Sequence, residues 1–101
     1  MNEKKLKKLA SEIRSLRQQA GSIRGRELAV VAEKLGRRQV GSGGHPQYIS
    51  DLRPGRITIP SHSKPLKSRT ALSILDDLDT DVFFWRESLS NEEDEGTDNP
   101  G

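Results

Sequence analysis

Two histidines are the only side chains of this 101-residue chain suited to exchanging a proton near neutral pH, because an unperturbed imidazole titrates at about 6.5. His45 stands in Gly43-Gly44-His45-Pro46-Gln47-Tyr48, between a basic run and a strand-like segment. Two glycines before it let a substrate backbone approach closely, and their amides can face an anion. His62 follows Pro60 and precedes a basic stretch that contains Lys64, Lys67 and Arg69. The chain has no cysteine, which excludes a disulfide scaffold, a thiolate zinc site and a cysteine nucleophile. Two histidines without cysteine also argue against a protein-built transition-metal centre. The chemistry these residues offer is acid–base catalysis on an anionic substrate, with no metal and no cofactor. Taken by itself, the motif around His45 also fits an exposed loop histidine with no role.

RNA suits such a site because it carries its own nucleophile, the 2′-hydroxyl. Cleavage then needs a base near that hydroxyl, charge stabilisation at the phosphate and in-line geometry. Arg37, Arg38, Lys64, Lys67 and Arg69 are the candidates for phosphate contacts, together with the backbone of Gly43 and Gly44. Tyr48 alternates within a strand and has two roles open to it, stacking on a base or filling the core; the core is the better fit. His62 is a further candidate for contacting RNA, with capping of the following helix as the alternative.

The net charge of +2 hides an asymmetry. Residues 1–40 carry eleven Lys/Arg against four Asp/Glu, residues 41–71 five against one, and residues 72–101 one against ten. A basic body with an acidic tail fits a polyanion binder carrying a solubilising or self-shielding segment. No apolar run reaches the roughly 18 residues that a membrane span requires, and no signal-peptide core is visible. A reducing cytoplasm is the expected location.

These residues need elements to position them. Leu6, Leu9, Ile13, Leu16 and Ala20 recur at steps of three and four, so residues 3–20 read as a basic amphipathic helix stopped by Gly21. Its stripe suits packing within the domain, a homo-oligomer through the N-terminal helix, or an anionic membrane surface, the last disfavoured because no aromatic anchors it. A second helix follows, with Leu28, Val31, Ala32 and Leu35 on one face and Gly36 as its stop. The period then changes to short β-branched segments, and Pro54-Gly55 predicts a hairpin between residues 46–52 and 56–60. A last helix carries Leu72, Leu75 and Leu78 and continues or restarts after Asp79. Phe83, Phe84 and Trp85 are adjacent, so at least one must be exposed, either as part of a terminal cap or as a docking surface. The expected fold is α+β: helix, three-stranded antiparallel sheet, helix, with an extra N-terminal basic amphipathic helix. The expected organisation is an N-terminal helix at 1–21, a domain at 22–89 and a disordered acidic tail at 90–101.

The order Gly36, Gly43-Gly44-His45, Tyr48, Pro60-x-His62, and Lys64, Leu66 and Thr70 resembles the HicA family of toxin mRNA interferases over about residues 24–78. The resemblance implies a double-stranded-RNA-binding-domain-like fold and a metal-independent endoribonuclease of a toxin–antitoxin system. It further implies His45 as the catalytic residue, mRNA as substrate and a HicB-type antitoxin as partner. Two positions depart from the family pattern: Gly44 stands where serine is commoner, and Arg69 where glycine is often found. The first departure removes a hydroxyl that could orient a phosphate. It keeps open a catalytically silent RNA-binding module, since this fold binds duplex RNA by shape and phosphate contacts. A regulatory protein-interaction domain is the third reading, and it leaves the glycine-flanked histidine unexplained.

Overall fold

The computed structural model describes residues 1–41 and 45–97, with the backbone alone for 92–97. Its elements are α1 (Glu3–Arg17), α2 (Gly25–Lys34), β1 (Arg38–Val40), β2 (Gln47–Ile49), β3 (Arg56–Thr58) and α3 (Ser68–Thr97). This is the expected α+β order of helix, three-stranded antiparallel sheet and helix, preceded by an additional N-terminal helix.

The Asn2 side chain caps α1 by accepting from the Lys5 amide at 2.8 Å. The helix ends at Arg17, earlier than the periodicity suggests, and i→i+3 bonds from Gln18, Gln19 and Ala20 tighten the exit. Gly21, at φ +103°, then turns the chain. Leu6, Leu9 and Ile13 are buried in the same core as α2, the sheet and α3. The stripe is therefore consumed within the chain, and a homo-oligomer through α1 would have to use another of its faces.

The sheet runs in the order β1-β2-β3 with both pairs antiparallel. Tyr48 sits between Gln39 and Ile57 across the three strands. Tyr48 and Ile57 are buried beneath the helices, while the alternate rows, Arg38–Ile49–Arg56 and Val40–Gln47–Thr58, make up the opposite face, as the period-two geometry of strands requires. Gly55 lies in the hairpin at φ +99°, the backbone that the Pro54-Gly55 pair predicts for the third position of a type II turn.

By strand parity Arg37 belongs to the buried row, and its side chain is 0% exposed. A phosphate contact, the role its sequence position suggests, is closed to it. Instead its guanidinium holds both carboxylate oxygens of Asp81, at 2.5 and 2.8 Å, and donates to the carbonyls of Tyr48 (3.0 Å) and Gly55 (3.3 Å). Arg53 adds a bond to Asp81 at 2.8 Å and one to the Asp77 carbonyl at 3.1 Å. These contacts join β1, β2, the hairpin turn and α3, so Arg37 is a buried structural residue and cannot contact a ligand.

α3 passes Asp79 without a break and extends to Thr97, so residues 90–97 of the acidic stretch are helical in backbone. Extending a formed helix through a Glu-rich segment avoids the cost of a new nucleus. Phe83 and Phe84 are 55% and 37% exposed, and Trp85 turns inward to donate from Nε1 to the Leu35 carbonyl at 2.6 Å. Three adjacent aromatics point in different directions because each helical residue advances by about 100°.

Replacing Asp81 by alanine strands the Arg37 guanidinium without a counter-charge, and the expected loss is about 3–5 kcal/mol. Arg38→Ala removes an exposed pair with Asp51 (3.3 Å), which should cost no more than about 1 kcal/mol. Urea unfolding midpoints measured for both variants check the contrast; equal losses would deny the buried pair its structural role.

Candidate functional site

His45 is exposed, in a bend immediately before β2. Pro46 is buried, and its carbonyl accepts from the Ile59 amide at 3.1 Å. That bond carries the β2–β3 ladder one step past the Gln47–Thr58 pair and fixes the backbone beside His45 at one end of the sheet, close to Pro60. Ser42 and the two glycines expected to face a phosphate, Gly43 and Gly44, lie outside the described residues.

Three further segments reach the same end. α2 begins there, with Gly25 so close to Pro60 that a Cβ at this position would sit 1.7 Å from the Pro60 carbonyl oxygen. The Leu66 amide donates to the Ile23 carbonyl at 2.8 Å, which ties the 61–67 loop to the chain entering α2. His62 donates from Nδ1 to the Lys64 carbonyl at 3.1 Å, so it braces its own loop, and its ring remains exposed. Lys64, Lys67 and Arg69 are exposed on this loop and at the start of α3. Arg24 and Arg26 are exposed on either side of Gly25. Among the described residues none of these five cations forms an ion pair.

Arg38 does not join them. It faces Ile49 across β1–β2, four residues beyond His45 along the chain, or about 13 Å at 3.3 Å per residue, and it pairs with Asp51. Tyr48 fills the core, the favoured of its two expected roles. Burial raises the pKa of its hydroxyl, and the charge of Glu33 adds to the effect, so the phenol stays protonated well into the alkaline range. Sequence reasoning missed Arg24, Arg26 and Gln39 as parts of a surface. The available signal was Arg24-Gly25-Arg26 itself: glycine is a poor helix former, and at the first position of a helix it marks a close backbone approach.

One comparison with known proteins gives a match. The family model described as the HicA toxin of bacterial toxin–antitoxin systems matches residues 25–79, more than half of the 101 residues. The chain belongs to the HicA toxin family. Membership places it on the toxin side of a toxin–antitoxin system, and such a system implies an antitoxin partner. Searches of curated proteins and of solved structures give no match. The family match starts with α2 and ends at Asp79, so α1 and the distal half of α3 are additions to it. Among the described residues no helix is long and apolar enough to cross a membrane.

Gly25→Ala forces α2 away from Pro60 or displaces the strand end that positions His45. The expected cost is about 1–3 kcal/mol, the usual range for overpacking. Thermal unfolding checks it, with Ser22→Ala, at an exposed position on the same connection, as the control expected to stay close to wild type.

Proposed function

We propose that this protein is a toxin-type endoribonuclease that cleaves mRNA in the cytoplasm through His45, without a metal, and that a HicB-type antitoxin holds it in check. The observation that carries this reading is the exposed His45 on a braced sheet end shared with Arg24, Lys64, Lys67 and Arg69, whose charges no carboxylate of the described residues neutralises. In this mechanism the imidazole of His45 removes the proton of a 2′-hydroxyl. The 2′-oxygen attacks the adjacent phosphorus as the bond to the 5′-oxygen breaks, leaving a 2′,3′-cyclic phosphate, and the departing oxygen takes up a proton to become a 5′-hydroxyl. The surrounding cations hold the phosphate and oppose the charge that builds on it. Arg37 has no part in this, being buried against Asp81.

The test is incubation of wild-type protein and His45→Ala with a mixed single-stranded RNA in excess EDTA. Fragments ending in cyclic phosphate from wild type alone, and none from a 2′-deoxy substrate, are expected. Gly44, in place of the commoner serine, sustains the second reading, an RNA-binding module without activity. Intact RNA in both lanes with a gel shift in both would establish that instead.

Phosphate contacts also leave a salt signature. Each contact to single-stranded nucleic acid contributes about 0.7 to the slope of log K against log salt. Replacing Lys64, Lys67 and Arg69 together by alanine should flatten that slope by about 2, whereas Arg38→Ala should leave it near the wild-type value. Affinities measured by fluorescence anisotropy across a salt series decide the matter.

A further inference from the structure

A cleft of about 270 Å³ opens between the first turns of α2 and the helix-side face of the sheet, at the same end as His45. Pro46 and Pro60 border it, and Ala29 and Tyr48 contribute further apolar surface. Its polar lining includes Arg26 and Gln39. Gln39 shares a strand row with Tyr48 and Ile57, yet it is exposed where they are buried, because β1 is the edge strand and the start of α2 does not cover it. Among the described residues neither the Arg26 guanidinium nor the Gln39 amide has a hydrogen-bond or ion-pair partner. This volume lies just below the range of pockets that hold drug-sized ligands, a suitable scale for one flat, aromatic group.

We infer that this cleft receives one purine base of the RNA, next to the cleaved linkage, so that the protein is selective for what it cuts. The inference rests on the ribonuclease reading for its substrate. Pro46 is adjacent to His45 in the chain, so a base in the cleft and a phosphate at His45 belong to neighbouring nucleotides. The apolar lining, Pro46 and Pro60 foremost, suits the face of an unstacked base, the form in which proteins read RNA sequence. The two polar groups set the class of base. A guanidinium bonds guanine through O6 and N7, and a glutamine amide bonds adenine through N6 and N7. Both pairings use N7, which pyrimidines lack. The cleft thus discriminates purine from pyrimidine more sharply than one purine from the other.

The test uses the full chain and two readouts. In the first, a randomised RNA is digested and the bases flanking each cut are counted. In the second, short RNAs that differ at one position, bearing a purine, a pyrimidine or a 7-deazapurine, are bound to His45→Ala protein and measured by anisotropy. A purine preference of about 5- to 150-fold is expected from one bidentate contact, reduced by the 7-deaza substitution and by Arg26→Ala or Gln39→Ala. The readout is the purine-to-pyrimidine ratio, whatever happens to total activity, with circular dichroism confirming that each variant is folded. Cutting or binding indifferent to base, or a preference unchanged in both variants, overturns the inference. Purine-selective binding without cleavage by wild type would sustain the cleft and refute the ribonuclease reading.

Discussion

The pair formed by Arg37 and Asp81 is the constraint on which the remaining geometry depends. Two charges removed from water need a closely matched partner and additional hydrogen bonds, or burial is unfavourable. Both conditions hold, since Arg37 also donates to the Tyr48 and Gly55 carbonyls and Asp81 also accepts from Arg53. One carboxylate therefore fixes the position of α3 against β1, the centre of β2 and the hairpin turn at once. Ser68, which opens α3, lies 13 residues earlier in the same helix, about 20 Å at 1.5 Å per residue. A rigid helix carries that alignment to the end of the sheet where His45 stands.

Asp81 lies just past the residues that the family match covers, whereas Arg37 lies inside them. The distal half of α3 is thus an extension that anchors the family's core as well as an appendage to it. α1 packs antiparallel along this extension, with Arg17 bonded to Asp79 and to Asp76, the latter at 2.7 Å. Those hydrogen bonds, Asp79 first and then Asp76, raise the pKa of Arg17 further above its already high ordinary value. The ions are partly exposed, so they orient the helix pair more than they stabilise it. The apolar contacts of Leu6, Leu9 and Ile13 hold it in place.

Charge is distributed along the fold in a way that linear counting shows only in outline. Residues 72–101 contain nearly all the acidic excess, yet three of those carboxylates, Asp76, Asp79 and Asp81, are engaged with Arg17, Arg37 and Arg53. The cations of the α2 start and the loop into α3, beside His45, have no such partner among the described residues, and neither do the exposed lysines of α1. Residues from two distant parts of the chain thus form one basic end, while α1 contributes its apolar stripe to the core.

By itself the sequence determined the helix and strand periods, the Pro54-Gly55 turn, the exposure of at least one of three adjacent aromatics, and His45 in its family-like setting. These are local properties, set by side-chain spacing, by the φ values open to proline and glycine, and by the width of a helix face. Tertiary structure alone decided which basic residues are free. Arg37 and Arg38 are neighbours of identical type, and strand alternation sends the first into the core and leaves the second on the open face. It also decided that Gly25 must be glycine, because the carbonyl that excludes a side chain there belongs to Pro60, 35 positions away. The cleft lined by Arg26, Gln39, Pro46 and Pro60 likewise arises from four separate segments. Contacts between distant positions depend on how the layers pack, and no short window of sequence records them.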